Sequence, residues 1–87
     1  MNAHTAIAAA TKVHTSRAAL SAASYHHDEI ARHIALSAAS PLYSGYCKGE
    51  ISYHSVQRNS YLRNIIGAPN PYSVSHDALT AFLERVV

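Results

Sequence analysis

The first forty residues contain neither glycine nor proline, and this absence constrains the fold more than any other feature of the sequence. Alanine and serine fill the stretch, and alanine has the highest intrinsic helix propensity. Pro41 ends it, because a proline drives the preceding residue out of the helical conformation. The sequence therefore predicts helix over most of residues 1–40, ending near Ser40.

This stretch is long enough for either one helix or two. Ser21 and Ser24 favour a break between two helices, because serine competes for backbone hydrogen bonds and suits helix caps. Asp28 and Glu29 would then lie in the first turn of the second helix, where acidic side chains favour the positive end of the helix dipole. We therefore expect an N-terminal α-hairpin, with a single long helix as the alternative.

Turn residues divide the second half of the chain. Glycines at positions 45 and 49 indicate a loop over residues 41–49. A third helix is predicted over about residues 50–66, with Gly67 in the C-cap position where glycine is favoured. Its buried face is expected to carry the apolar residues Ile51, Leu62, Ile65 and Ile66, with Arg58 at the edge.

The last helix is predicted over about residues 76–86, with Ser75 as its N-cap. Its apolar residues follow the spacing i, i+3, i+4 and i+7 of an amphipathic helix; they are Leu79, Phe82, Leu83 and Val86. The sequence as a whole thus predicts one all-α domain over residues 1–87, a small bundle of about four helices.

The apolar residues supply only a thin core. They make up 48% of the chain, but many are alanine, with one phenylalanine and no tryptophan. Because a core of this kind stabilises a small domain only marginally, a homo-oligomer or a partner is expected to add stability. A single cysteine, Cys47, excludes an internal disulfide and suits a reducing compartment. Since no run approaches the ~20 apolar residues of a membrane span, we expect a cytoplasmic protein that does not enter membranes.

No motif for catalysis, nucleotide binding or cofactor binding occurs in the sequence. Nucleophilic catalysis would require Cys47 or a serine beside a histidine and an orienting acid. Cys47, His54 and Asp77 are the residues that would have to converge, but no nucleophile motif surrounds any of them. We therefore expect neither an enzyme nor a bound cofactor.

Histidines raise the question of a metal site. His26, Glu29 and His33 are spaced i, i+3 and i+7, so a helix would place them on one face. A Zn²⁺ or Ni²⁺ ion needs nitrogen or oxygen donors converging at about 2 Å. The sequence offers no evident fourth donor and neither a HExxH nor a CxxC pattern. A solvated stripe in which Glu29 pairs with His33 is therefore expected, and no metal.

Buried histidines would also make stability depend on pH. A histidine buried in its neutral form has a lowered pKa, so acid favours the unfolded chain. We expect such a residue among the seven histidines, with His14 as the first candidate, and a mild loss of stability between pH 7 and pH 5.

A candidate binding surface lies in the third predicted helix. No acidic residue occurs between Ile51 and His76. Opposite and beside the predicted buried face of this helix lie tyrosine, arginine and amide side chains; the candidate binding residues are Tyr53, Gln57, Arg58, Ser60, Tyr61, Arg63 and Asn64. Tyrosine and arginine are enriched at the hot spots of protein interfaces. We therefore expect a non-enzymatic binding protein that acts on a protein partner.

Short helical chains without catalytic signatures are common among accessory proteins of phages and mobile elements, including anti-CRISPR inhibitors of host protein complexes. The expectation that this chain is an inhibitor of that kind comes from the class as a whole and from no single residue.

The alternative is a DNA-binding transcriptional regulator that uses the helix over residues 51–66. Gln, Asn and Arg side chains pair with base edges. Residues 29–34 resemble the start of the first helix of a helix-turn-helix, and residues 51–56 resemble the start of its recognition helix. The chain departs from that motif in spacing, because a turn of about 3–4 residues normally joins the two helices.

Overall fold

The computed structural model describes the backbone of residues 3–87 and the side chains of residues 17–87. Its elements are helix α1 (Ala3–Ala39), a short 3₁₀ helix (Pro41–Tyr43), helix α2 (Ser44–Arg63) and helix α3 (His76–Val86). The described chain contains no strand, which confirms the all-α prediction, but it has three α-helices rather than four. None of the helices described is both long and apolar enough to cross a membrane.

The predicted N-terminal hairpin is wrong, because α1 continues without a break through Ser21 and Ser24. No glycine or proline interrupts this helix, and alanines on both sides of the serines keep the helical conformation favourable. Ser21 is exposed to solvent, so its hydroxyl group does not need a backbone partner inside the helix. The side chain of His14 lies outside the described residues.

Helix α1 ends before Pro41, as predicted, but the loop expected after it is mostly helix. Ser40 has an extended backbone (φ −139°, ψ 88°), and the Tyr43 N–H donates to the Ser40 carbonyl at 3.0 Å. Helix α2 then begins at Ser44 and includes both Gly45 and Gly49. A glycine costs a helix only about 1 kcal/mol relative to alanine, and the burial of α2 side chains such as Cys47 and His54 outweighs that cost.

Helices α1 and α2 therefore form the hairpin of this fold, with the 3₁₀ helix as its turn. The buried residues of α2 are Cys47, His54, Arg58 and Leu62. Helix α2 ends at Arg63, three residues earlier than predicted, and Gly67 adopts the left-handed conformation (φ +86°) in the segment that follows. Ile65 is buried as expected and Ile51 is half-buried, but Ile66 is 73% exposed.

Helix α3 confirms the predicted range of residues 76–86. The Ser75 side chain accepts a hydrogen bond from the Ala78 N–H at 3.1 Å, which satisfies one of the free donors at the helix start. Val86, predicted to pack inward, is 41% exposed at the chain end. The other three residues of its apolar stripe join a core built from all three helices, here called the apolar cluster: Ala19, Ala23, Leu62, Ile65, Leu79, Phe82 and Leu83.

Candidate functional site

The other part of the α1–α2 hairpin, towards the turn, buries polar side chains. We define the histidine–glutamate cluster as Glu29 and His33 of α1 together with Glu50 and His54 of α2. Each helix contributes one copy of the pattern Glu-Ile-x-x-His, at residues 29–33 and 50–54. Residues four apart lie on the same face of a helix. Each helix therefore presents one carboxylate and one imidazole to the other.

The nitrogen and oxygen atoms of this cluster converge on one another. His33 Nε2 lies 3.7 Å from Glu29 Oε2 and 3.9 Å from Glu50 Oε2. His54 Nε2 lies 3.3 Å from Glu50 Oε2. Donor atoms of Glu29, His33 and His54 all lie within 4.8 Å of one another. Two imidazoles and two carboxylates from different helices thus face a common space.

The imidazoles of the cluster are inside the protein and the carboxylates are near its surface. His33 is 1% exposed and His54 is 5% exposed. The side chains of Glu29 and Glu50 are 19% and 34% exposed. His33 Nδ1 is buried without a hydrogen-bond partner. Buried polar atoms are nearly always paired, so this atom marks an arrangement that packing alone does not explain.

Arg32 contacts the cluster from its solvent side. Its Nη2 donates to Glu29 Oε2 at 2.7 Å and lies 3.3 Å from His33 Nε2. The hydrogen bond from Arg32 holds the pKa of the Glu29 carboxyl below its usual range. Because the Arg32 side chain is 60% exposed, it can move into solvent without disturbing the packed core.

His26 lies beside the cluster and contacts His54. The two Nδ1 atoms are 2.8 Å apart, so one ring donates a hydrogen bond to the other. Burial is the first cause that lowers the pKa of His26, and the nearby His54 lowers it further. This contact links the tautomer of His54 to that of His26.

A second polar chain connects all three helices between this cluster and the apolar cluster. The Arg58 Nη1–H donates to His27 Nδ1 at 3.1 Å. His27 must then carry its proton on Nε2, which donates to Thr80 Oγ1 at 2.6 Å. The Thr80 hydroxyl donates in turn to the backbone carbonyl of His76 at 3.1 Å. Each polar atom along this chain has a partner, in contrast to His33.

Burial, the stacked ring of His76 and the charge of Arg58, in that order, lower the pKa of His27 to about 4. The neighbouring carboxylate of Asp28 opposes the shift only in part. His27 is therefore a histidine that is neutral and buried at neutral pH, of the kind expected from the sequence.

Tyrosines surround the histidine–glutamate cluster. The ring centroids of Tyr25, Tyr53 and Tyr61 lie 5.0, 6.2 and 5.9 Å from that of His26. The ring of Tyr46 lies 5.6 Å from that of His33. We call these four residues the tyrosine face. All four are exposed, Tyr61 by 38% and the others by more than half.

Most of the predicted binding residues lie at least partly at the surface of α2; these are Tyr53, Gln57, Ser60, Tyr61, Arg63 and Asn64. Arg58 does not, because it is 8% exposed and its guanidinium donates inward to His27. Arg63 lies apart from the tyrosine face, where it lines a groove with Pro71 and Tyr72. Arg58 is thus a structural residue rather than a surface contact.

Sequence reasoning found half of the histidine–glutamate cluster and missed the rest. It considered Glu29 and His33 on one helix but not Glu50 and His54, which the structure places opposite them. The signal that could have found them was the repeated Glu-Ile-x-x-His pattern, combined with antiparallel packing of the two helices that carry it.

Comparisons of the chain with protein-family models, with curated proteins and with solved structures found no match. What the protein does is therefore inferred from its own residues.

Cys47 is completely buried, so its thiol is not presented to a substrate.

Proposed function

We propose that this chain is a non-enzymatic binding protein that engages a protein partner through the tyrosine face. The observation that carries the proposal is the exposed group of Tyr25, Tyr53 and Tyr61 around the ring of His26. A tyrosine ring combines a large apolar surface with a hydroxyl group that finds polar partners. Groups of such rings are typical of the residues that contribute most to binding energy.

The tyrosine face is also held in place before binding. Tyr46 packs edge-on against His33, and Tyr61 stacks on His26. Both histidines lie on α1, and both tyrosines lie on α2, which packs along it. Side chains that are already ordered lose less conformational entropy on association, which favours affinity.

Inhibition is the activity that we propose for this binding. A partner covered by the tyrosine face is blocked at the covered surface, which is how small accessory proteins of phages and mobile elements inhibit host complexes. Arg32, whose side chain is 60% exposed, lies near Tyr25 and Tyr46, so the matching surface of the partner is expected to be apolar with polar or acidic edges.

The experiment is a quantitative pull-down from lysate with three baits: the wild-type chain, Tyr53→Ala/Tyr61→Ala and Tyr72→Ala. Tyr72 is the matched control, because it is 65% exposed and lies outside the tyrosine face. A specific partner should be retained by the wild type and by Tyr72→Ala but lost with the double variant. With the purified partner, the double variant should bind at least about 10-fold more weakly. Equal retention by all three baits would contradict the proposal.

DNA binding through the helix over residues 51–66 has less support. Arg58, one of the two arginines predicted for that surface, is turned inward. The two fragments that resemble a helix-turn-helix lie on α1 and α2 and contact each other through the stacked rings of His33 and His54. A mobility shift on random duplex DNA at low salt tests the alternative, since electrostatic non-specific binding would appear there.

A further inference from the structure

We propose that Glu29, His33, Glu50 and His54 bind one divalent transition-metal ion, for which Zn²⁺ is the probe. The set supplies two imidazole nitrogens and two carboxylate oxygens, all of them donors that zinc uses in proteins. Two ligands come from each helix of the hairpin, so the ion would join α1 to α2. The proposal is independent of the tyrosine face and its partner.

The spacing of the donor atoms fits a tetrahedral ion. Bonds of about 2.0–2.1 Å to nitrogen and oxygen place neighbouring ligand atoms of a tetrahedron about 3.3 Å apart. The three measured separations between imidazole nitrogens and carboxylate oxygens are 3.3, 3.7 and 3.9 Å. Donor atoms of Glu29, His33 and His54 already lie within 4.8 Å of one another. The Glu50 carboxylate, which lies near His33 and His54, would have to move further inward to join them as the fourth ligand.

The position of His33 supports an ion rather than a purely structural role. Its Nε2 faces both carboxylates at distances longer than a good hydrogen bond, and its Nδ1 has no partner. An ion bound at Nε2 leaves Nδ1 unpaired, so the support for an ion comes from the position of Nε2 between the two carboxylates. A metal ion bound at Nε2 would explain why this nitrogen faces two carboxylates and a second imidazole.

His26 is placed to orient one of the ligands. If His54 binds the ion through Nε2, its other nitrogen carries the proton and donates to His26 Nδ1, 2.8 Å away. Histidine ligands almost always donate their second N–H in this way, and loss of the acceptor commonly weakens metal binding by about 10–100-fold. His26 is therefore a positioning residue for His54 and not a ligand.

Arg32 would compete with the ion for the negative charge of the Glu29 carboxylate. Its guanidinium contacts Glu29 Oε2 and His33 Nε2, both of which are proposed ligands. Since this side chain is largely exposed, the metal would displace it into solvent. Removal of Arg32 should therefore strengthen metal binding, whereas a merely structural salt bridge predicts no such gain.

The test uses the full chain, stripped of metal with EDTA and titrated with Zn²⁺ in competition with a chromogenic chelator. We expect one ion per chain. His54→Gln should weaken binding at least about 100-fold, Glu50→Gln at least about 10-fold and His26→Leu about 10-fold. The matched controls are His76→Gln and Glu84→Gln, which replace a histidine and a glutamate outside the cluster. Both should bind Zn²⁺ like the wild type.

Two further measurements do not depend on how well the ligand variants fold. Co²⁺ added to the wild-type chain should give the strong visible absorption of tetrahedral coordination, and Arg32→Ala should bind Zn²⁺ more tightly than the wild type. Zn²⁺ should also raise the melting temperature of the wild type, because a ligand that binds only the folded state stabilises it. No saturable binding at one ion per chain, or wild-type affinity in folded His33→Gln and His54→Gln variants, would overturn the proposal.

Discussion

The same two helices pack together in opposite ways along their length. Near the C-terminus of α2, they bury alanine, leucine and isoleucine, and α3 adds Leu79, Phe82 and Leu83 to complete the apolar cluster. Near the turn of the hairpin, they bury the histidine–glutamate cluster instead, with Ile30 and Cys47 as the buried apolar residues there. The chain of Arg58, His27 and Thr80 lies between the two regions.

This contrast distinguishes the buried residues that stabilise the fold from the buried residues whose desolvation costs free energy. Apolar burial stabilises a small domain directly. Burial of charged and polar groups costs desolvation, and apolar residues of similar volume often give equal or greater stability. A chain with so few large apolar residues nevertheless places three imidazoles, those of His27, His33 and His54, at buried positions of its main helix pair. We therefore attribute stability to the apolar cluster and propose function for the histidine–glutamate cluster and the tyrosine face.

The largest expected effect is loss of stability from the apolar cluster. Phe82 is the only phenylalanine of the chain and is 9% exposed. Phe82→Ala should lower the free energy of unfolding by about 3–5 kcal/mol, through lost burial and a residual cavity. Urea denaturation followed by circular dichroism measures the change. Tyr53→Ala, which truncates an exposed aromatic ring of α2, is the control and should have a far smaller effect; equal losses would remove the distinction between the regions.

The next effect is a dependence of stability on pH, and it arises from His27 in the hydrogen-bonded series of Arg58, His27 and Thr80. Burial lowers the pKa of His27 to about 4 in the folded chain, from 6.5 for a free histidine side chain. Between these values the unfolded chain binds the extra proton, so stability falls as the pH falls from 6.5 towards 4. The slope from one such group is about 1.4 kcal/mol per pH unit at most. His26, whose pKa is also lowered, adds in the same direction.

Denaturant melts of metal-free protein at several pH values above 4.5 test this prediction. Glu29, whose pKa lies below its usual 4.5, also reduces stability as the pH approaches the lower end of that range, so the contribution of His27 is taken as the difference from a His27→Gln variant. His27→Gln keeps a polar side chain but cannot gain a proton, so its stability should depend less on pH. A wild-type profile that is flat or rises on acidification would contradict the prediction.

A smaller effect of opposite sign is expected inside the histidine–glutamate cluster. His33→Leu removes a buried nitrogen without a partner and replaces the ring by an apolar side chain of similar volume. Metal-free His33→Leu should be more stable than metal-free wild type by about 1–2 kcal/mol, because the unpaired polar group no longer has to be desolvated. Denaturant melts in EDTA measure the gain. A loss of stability would show that His33 serves the fold.

The end of α1 and the range of α3 follow from local sequence signals, whereas the pairing of α1 with α2 does not. The end of α1 before Pro41 and the whole of α3 after Ser75 were predicted correctly, because proline geometry, an N-cap and an amphipathic pattern act within a few residues. The break at Ser21 and Ser24 failed because serine only weakly opposes an alanine-rich helix. The loop at residues 41–49 failed because tertiary packing overrides two glycines.

In the candidate site, too, features set by neighbouring residues were predictable, whereas contacts between residues far apart in the sequence were not. The exposure of Tyr53 and Tyr61 agrees with their position on the predicted polar side of α2. The inward turn of Arg58 was not predictable from its own helix, since its partner His27 is 31 residues away. Glu50 and His54, the α2 donors of the proposed metal site, were not predicted for a similar reason. Only the antiparallel register of α1 and α2 brings them to Glu29 and His33.

The smallest predicted effect compares the two helix starts that follow a serine. The Ser75 hydroxyl caps α3, whereas Ser40, before the 3₁₀ helix, makes no side-chain cap hydrogen bond. Ser75→Ala should lower the free energy of unfolding by about 1 kcal/mol, typical for loss of an N-cap, and Ser40→Ala should leave it nearly unchanged. Because α3 supplies three residues of the apolar cluster, its start contributes to global stability. Equal effects of the two substitutions in denaturant melts would mean that the turn of the hairpin stabilises the fold as much as the anchoring of α3 does.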